Sequence, residues 1–228
     1  MDQCTTPVVP ESKARPRSAI YVDGFNLYFG VLKQNPAWRW LNLQAFFEAL
    51  RPDDDVTTIK YCTAEVDPKL RTSGRRDRQA EYLQALQTLP KIQIIKGRYQ
   101  MREVVCRAKI CSRFERYETP EEKKTDVNLA VQMICDAIDE RVDRMILISG
   151  DSDLEPAVEM IRKRFSHIRL LVYIPTLPDP KRLRANFFYK GIGVPCGELP
   201  LGGILHHQFP NELLDAAGRT IRRPTAWK

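Results

Sequence analysis

The amino-acid sequence predicts an α/β domain in which helices cover both faces of a mostly parallel central sheet, forming a three-layer sandwich. Short apolar runs alternate along the chain with segments of helical periodicity, a pattern typical of parallel strands joined by helices. The 228 residues are 43% hydrophobic and 29% charged, which is typical of a globular domain with one core. We expect a flexible arm at 1–17, the domain at 18–175, and an extension at 176–228 that packs on the same domain.

The first half of the domain alternates strands and helices. An apolar run that ends in Asp-Gly indicates a buried strand followed by a turn. Asn42 is a typical N-cap, and Pro90 ends a helix with one apolar face. The predicted elements are a strand at 18–22, helices at 26–34 and 42–50, a strand at 57–65, a helix at 75–89 and a strand at 92–95.

The second half begins with residues 97–118, where apolar and basic residues alternate. We predict a basic, hairpin-like insertion there. A helix at 125–138, a strand at 145–148, a helix at 152–165 and a strand at 168–174 follow, and Thr125 or Asp126 lies near the N-cap of the first of these helices. The tail from Pro175 is rich in Pro and Gly and is expected to wrap the surface.

The chain carries 36 Lys and Arg against 29 Asp and Glu, a net charge of +7. This excess is compatible with a polyanionic partner, although a solvated basic surface explains it equally well. The six cysteines form no disulfide framework, and no apolar leader or membrane span is evident. We therefore expect a cytoplasmic protein with no membrane partner. Whether Cys106 and Cys111 form half of a zinc site is left open, because no second pair of ligands is evident nearby.

Four aspartates are expected at one edge of the sheet. Asp23 follows the first strand, Asp151 and Asp153 follow the strand at 145–148, and Asp126 begins a helix. Ligands of open parallel sheets bind outside the carboxyl ends of the strands, where neighbouring strands lie ~4.8 Å apart. Any one of these aspartates alone is commonly a turn residue or a helix cap, so the hypothesis of a site depends on their joint occurrence.

A cluster of carboxylates needs a counter-charge. Two unit charges 4 Å apart repel by about 4 kcal/mol at an effective dielectric constant of 20. A hard divalent ion such as Mg²⁺ or Mn²⁺ removes this repulsion, because it prefers oxygen ligands. Other acidic or nucleotide sites fit less well. Haloacid-dehalogenase phosphatases need an aspartate where Phe25 stands, and there is neither a GxxxxGK[ST] loop nor a GxGxxG turn at the first strand.

Three segments carry a family resemblance: YVDGFNLYFG, KTDVNLAVQMICDA and ILISGDSDLEPAV. In order and spacing they resemble the NYN domain family of PIN-like nucleases, in particular its LabA-like branch. The resemblance runs from about Ser18 to Tyr173. It implies a PIN-like fold and a ribonuclease that depends on Mg²⁺ or Mn²⁺. Carried over by position, the catalytic and metal-binding residues are Asp23, Asp126, Asp151 and Asp153, with Asn26 holding substrate or a metal-bound water.

The chain departs from the family at one position. Many PIN-like nucleases carry a further acidic residue about two turns after the position of Asp126, and here that position holds Gln132. Gln132 is either a substrate contact or a plain helix-surface residue. Asp136 is expected ~15 Å along the helix from Asp126, too far to share a metal.

Basic residues near the predicted site indicate where RNA phosphates would bind. We expect substrate binding by Arg75, Arg76, Arg78, Lys123 and Lys124, together with Asn26. Further cations line the insertion, where Tyr99, Phe114 and Tyr117 could stack unpaired bases or instead belong to the core. The further cations are Arg71 before the helix and Arg98, Arg102, Arg107, Lys109, Arg113 and Arg116 in the insertion.

The expected reaction is hydrolysis of an RNA phosphodiester bond that leaves 5′-phosphate and 3′-hydroxyl ends. This chemistry needs no 2′-hydroxyl, so the preference for RNA comes from the resemblance alone. Two alternatives remain open: a non-catalytic RNA-binding or regulatory NYN protein, and a DNA-directed or structure-specific nuclease. RNA is the expected partner, and assembly into a homo-oligomer is also left open.

Overall fold

The computed structural model describes residues 14–64, 75–106, 116–177 and 189–228. Six parallel strands form the central sheet, in the order β3-β2-β1-β6-β7-β8. They are β1 (Arg17–Asp23), β2 (Asp55–Thr63), β3 (Ile92–Lys96), β6 (Arg144–Ile148), β7 (Arg169–Ile174) and β8 (Cys196–Glu198). Because all six run the same way, their carboxyl ends meet at one edge of the sheet.

Within the described residues, five helices pack on the two faces of this sheet. They are α1 (Gly24–Gly30), α2 (Leu43–Leu50), α3 (Arg75–Gln87), α4 (Thr125–Ile138) and α5 (Glu155–Arg164). Along β1, Ile20 and Val22 pack against the core formed with α1, α2 and α3. Ala19 and Tyr21 pack against the core formed with α4 and α5. This alternation buries both faces of the sheet and confirms the predicted three-layer α/β class.

Two predicted helices begin or end differently in the structure. The helix predicted at 26–34 is α1 followed by a 3₁₀ turn at Leu32–Gln34, because the chain packs tightly at Gly30. A Cβ at Gly30 would lie 1.8 Å from the carbonyl oxygen of Pro175. The helix predicted at 152–165 is a 3₁₀ turn at Ser152–Leu154 followed by α5, and proline in the first turn of α5 suits its start.

Between β3 and α4 the chain forms a two-stranded antiparallel sheet, β4 (Arg98–Val105) and β5 (Arg116–Lys123). Glycine is needed at its base, since a Cβ at Gly97 would lie 2.6 Å from Thr125 Oγ1. The close approach places the end of β5 against the start of α4. Four residues singled out in the sequence lie outside the described residues here, namely Arg107, Lys109, Cys111 and Arg113, as does Phe114.

The tail contributes more than the predicted surface wrap. Its strand β8 extends the central sheet beside β7, and β9 (Glu212–Leu214) pairs with β10 (Thr220–Arg222). Trp227 is buried against Trp40, whose indole Nε1 donates a 2.8 Å hydrogen bond to the carbonyl of Pro210. Within the described residues, no helix is long and apolar enough to cross a membrane.

Candidate metal centre

Three carboxylates meet at the carboxyl edge of the sheet. Asp23 ends β1, Asp126 lies in the first turn of α4, and Asp151 follows β6; each offers an oxygen, and these oxygens all lie within 4.8 Å of one another. The structure thus brings together three of the four aspartates singled out in the sequence. Asp153 is exposed in the next 3₁₀ turn and is outside this group.

Asp23 is held in place by four hydrogen bonds. Its Oδ1 accepts from the backbone N–H groups of Phe25, at 3.1 Å, and Asn26, at 2.9 Å, and so caps α1. Its Oδ2 accepts from Asn26 Nδ2 at 2.6 Å and from Ser149 Oγ at 2.9 Å. The sheet register pairs Val22 with Ile148, which explains why Asp23 lies beside Ser149. Asp23 is therefore both a helix cap and a fixed carboxylate of the site.

The amide of Asn26 ties the ends of β1 and β6 together. Its Nδ2 donates to Asp23, and its Oδ1 accepts a 3.2 Å hydrogen bond from the backbone N–H of Gly150. Both ends of the amide are thus engaged within the protein. In this arrangement Asn26 positions the carboxylate of Asp23 and the loop that carries Asp151.

Asp151 lies in a loop that is fixed by its own hydrogen bonds. Its Oδ1 accepts from the backbone N–H of Asp153 at 2.9 Å, and its backbone N–H donates to Ser149 Oγ at 3.1 Å. The hydroxyl of buried Tyr189 donates to the backbone carbonyl of Asp151. These contacts hold the Ser-Gly-Asp-Ser-Asp turn beside Asp23, where the side chain of Asp151 remains partly exposed.

Three carboxylates concentrate negative charge at the site. Within the described residues, none of the three carboxylates forms an ion pair with a lysine or arginine. The pKa of Asp126 is raised to about 6, first by burial and then by the charges of Asp23, Asp151 and Asp153. Burial also raises the pKa of Asp23, although hydrogen bonds from Asn26 and Ser149 offset part of the rise. An all-oxygen donor set with excess negative charge fits a hard divalent cation.

Glu122 is a further carboxylate near the site that the sequence did not single out. It lies near the end of β5 and is half-buried. Its pKa is raised to about 7, first by burial and then by the negative charges of Asp23 and Asp126. In the sequence Glu122 stands among charged residues of the insertion, four positions before Asp126. Only the packing of β5 against α4 distinguishes it from its neighbours.

Gln132 belongs to a buried polar network below the site. Its Oε1 accepts a 2.8 Å hydrogen bond from Lys60 Nζ, which also forms a 2.6 Å ion pair with Asp136. The hydroxyl of Tyr21 donates to the same carboxylate at 2.7 Å. The prediction that Gln132 is a plain helix-surface residue is wrong, because the buried ammonium of Lys60 reaches it from β2. Asp136 lies outside the carboxylate group, as expected.

The predicted phosphate-binding residues are distributed unevenly around the molecule. Lys124 is exposed and Lys123 is partly buried, just before Asp126. Arg78 lines a separate cleft with residues of the β9-β10 hairpin, including Glu212 and Arg222. Arg75 and Arg76 begin α3, but their side chains lie outside the described residues, as does Arg71. On the insertion, Arg116 forms an exposed ion pair with Glu103 at 2.7 Å.

A family model matches the part of the chain that contains the carboxylate cluster. The model of the NYN domain family matches residues 17–189, a segment that contains all three clustered aspartates. The chain belongs to the NYN domain family.

Individual relatives are more distant. The chain is 31% identical over 189 residues to 6-hydroxy-3-succinoylpyridine 3-monooxygenase HspA of Pseudomonas putida, a match that covers 70% of this chain and 60% of the relative. The chain thus spans less than two thirds of that relative's length.

Two solved structures are similar over most of the chain. A protein of unknown function from Vibrio parahaemolyticus has a TM-score of 0.43 and 22% identity, covering 77% of this chain and 91% of that one. Pyrazinamidase/nicotinamidase from Streptococcus mutans has a TM-score of 0.38 and 14% identity, covering 79% and 99%. Because both TM-scores are low, the assignment to the family depends on the family model.

Proposed function

We propose that the protein is a metal-dependent ribonuclease that hydrolyses RNA phosphodiester bonds. One observation carries the proposal: three carboxylates of an NYN domain lie within 4.8 Å of one another without a paired cation among the described residues. Structural carboxylates are ordinarily neutralised when they are buried. An uncompensated group at the ligand-binding edge of a parallel sheet favours a cation site over a structural role.

In this proposal Asp23, Asp126 and Asp151 would hold Mg²⁺ or Mn²⁺, and Asp153 would complete the catalytic set. A bound divalent cation would activate a water molecule and stabilise the charge on the leaving oxygen. Glu122, with a pKa of about 7, is suited to accept a proton from the attacking water. Attack on phosphorus breaks the bond to the 3′-oxygen, which leaves protonated, and the other product ends in a 5′-phosphate.

The proposed substrate contacts are cations from two parts of the chain. Lys124 and Lys123 lie two and three residues before Asp126, and Arg75, Arg76 and Arg78 begin α3. Cations of this kind bind backbone phosphates without regard to sequence. The cytoplasm is the proposed location, since the described cysteines are free and reduced thiols are typical of that compartment.

The test is cleavage of end-labelled single-stranded RNA with Mn²⁺ or Mg²⁺, with and without EDTA. We expect Asp126→Asn to lose more than about 100-fold in activity, because loss of a direct metal ligand should exceed the effect of losing an outer-shell partner. Asp139→Asn is the matched control, since Asp139 is exposed at the far end of the same helix. It should retain full activity.

The outcomes also separate the alternatives. If RNA is bound but neither metal supports cleavage, the protein is an RNA-binding module. If matched DNA is cut as fast as RNA, it is a nuclease without preference for RNA. Activity that survives both EDTA and Asp126→Asn contradicts a nuclease centre at these aspartates.

The similarity to 6-hydroxy-3-succinoylpyridine 3-monooxygenase supports a second candidate, oxygenation of a heteroaromatic ring. The donor set favours it less, since non-haem iron oxygenases typically use two histidines and one carboxylate. The described carboxylate group contains no histidine. Conversion of 6-hydroxy-3-succinoylpyridine in the presence of oxygen and a nicotinamide reductant would establish this activity, and recovery of unchanged compound would exclude that substrate.

A further inference from the structure

We infer that the groove beside the carboxylates is a stacking subsite for an unpaired nucleobase next to the cleaved phosphate. This inference rests on the proposed function and names the form of its substrate, single-stranded RNA. The groove has a volume of about 740 Å³ and lies at the carboxyl ends of β1, β6 and β7. Asn26 and Gly150 form its boundary with the site, and Phe29, Lys33 and Pro175 lie along it.

The wall of the groove is an aromatic surface on α1. Phe25 and Phe29 are four residues apart, so they lie on one face of the helix. Their ring centroids are 6.2 Å apart and their planes are inclined by only 22°. Tyr28 holds the edge of Phe29 from the other side, at 5.2 Å and 81°. Yet Phe29 is 51% exposed, so its ring offers open surface to a planar ligand.

A cation lies over part of this surface. Lys33 Nζ is 5.0 Å from the ring centroid of Phe29. Within the described residues Lys33 has no carboxylate partner, so its charge is available to a phosphate. An aromatic face with an adjacent cation is the combination that binds single-stranded nucleic acid: the ring stacks on a base and the cation holds the backbone.

Close packing of α1 against the end of β7 shapes the groove. Gly30 and Pro175 form part of its lining, and a Cβ at Gly30 would lie 1.8 Å from the carbonyl oxygen of Pro175. Only glycine permits this approach between α1 and the end of β7.

Continuity with the site identifies the occupant. Asn26 lines the groove and donates to Asp23, while Gly150 lies between Ser149, which donates to Asp23, and Asp151. A ligand in the groove is thus adjacent to whatever the carboxylates bind through a cation. A nucleotide has this pattern, since its phosphate binds cations and its base is flat and aromatic.

The experiment measures fluorescence anisotropy of two fluorescein-labelled RNA decamers, one of uridines and one of abasic residues. Ca²⁺ replaces Mg²⁺ so that binding is measured while cleavage is slowed. We expect the wild type to bind the uridine decamer about tenfold more tightly than the abasic one. Phe29→Ala should abolish this difference without changing abasic binding, and Phe29→Trp should restore it. Lys33→Ala should weaken both ligands alike.

Leu214→Ala is the matched control, since Leu214 is an exposed apolar residue of the β9-β10 hairpin. It should behave like the wild type. Equal effects of Phe29→Ala on both decamers, or none on either, overturn the stacking subsite. If Phe29 discriminates the decamers but RNA is never cut in Mn²⁺, the subsite stands and the hydrolytic function fails. If RNA is cut equally by wild type and Phe29→Ala, with equal KM, the function stands and the subsite fails.

Discussion

Buried aspartates lie near both ends of strand β1, but among the described residues only one of them has a cationic partner. At the amino end, Asp54 accepts hydrogen bonds from Ser18 Oγ and Arg51 Nε, both at 2.9 Å, and pairs with Arg144. At the carboxyl end, Asp23 accepts from uncharged groups and lies beside Asp126 and Asp151. The carboxylate of Asp54 is thus neutralised by cations, whereas that of Asp23 is not among the described residues.

The pKa values follow the same division. Burial alone would raise the pKa of Asp54, but hydrogen bonds from Arg51, Arg144 and Ser18 outweigh burial and lower it. The pKa of Asp126 is raised to about 6, because burial and three neighbouring aspartates act in the same direction. A cluster of carboxylates with raised pKa values favours binding of a proton or of an added cation.

Helix α4 repeats the contrast along its own length. Asp126 in its first turn has no cationic partner among the described residues, whereas Asp136 is neutralised by Lys60 and accepts from Tyr21. The two buried carboxylates away from the site, Asp54 and Asp136, therefore each have a cationic partner. Asp23 is as buried as Asp54 and Asp136, so the three aspartates differ in their partners and not in burial.

The largest expected effect is a loss of stability when a cationic partner of Asp54 is removed. Arg144→Met should lower the free energy of unfolding by about 3–5 kcal/mol, because it leaves Asp54 buried without a full counter-charge. Urea unfolding followed by circular dichroism measures this. The double variant Arg144→Met/Asp54→Asn should recover part of the loss. A change below about 1 kcal/mol would mean that the pair behaves as an exposed one.

At the carboxylate group, a substitution should instead raise the free energy of unfolding. The pKa of Asp126 is raised from 3.8 to about 6, so its contribution to stability is complete below pH 3.8 and is lost as the pH rises through about 6. Asp126→Asn should therefore stabilise the metal-free protein at pH 7.5, by about 1 kcal/mol after allowance for solvent screening.

Melting curves between pH 4 and 8 in the presence of EDTA test this expectation. The wild type should lose stability across the interval and Asp126→Asn should lose less. Asp139→Asn should retain the slope of the wild type, because Asp139 is exposed and paired with Arg141. Identical slopes for all three proteins would show that Asp126 is not strained by its neighbours.

The sequence predicts the sheet and most of the carboxylate group because both depend on local pattern. Apolar runs mark the strands; Asp23 ends one of them, and Asp151 comes three residues after the end of another. The three-residue strand β8 is not predicted, since so short a segment has no recognisable periodicity. The sequence also does not predict the positions of Glu122 and Phe29 or the contact between Lys60 and Gln132. These depend on long-range packing and strand register, which local sequence patterns do not reveal.

We propose that Asp23, Asp126 and Asp151, which have no cationic partner among the described residues, bind a divalent cation. Titration with Mn²⁺ at pH 7.5, followed by melting temperature, tests it most directly. At about 100 times the dissociation constant, Mn²⁺ should stabilise the wild type by about 2.7 kcal/mol, or roughly 5–10 °C. Asp126→Asn should lose most of this shift, whereas Asp139→Asn should keep it. An equal shift in all three proteins, or none in the wild type, would contradict the claim.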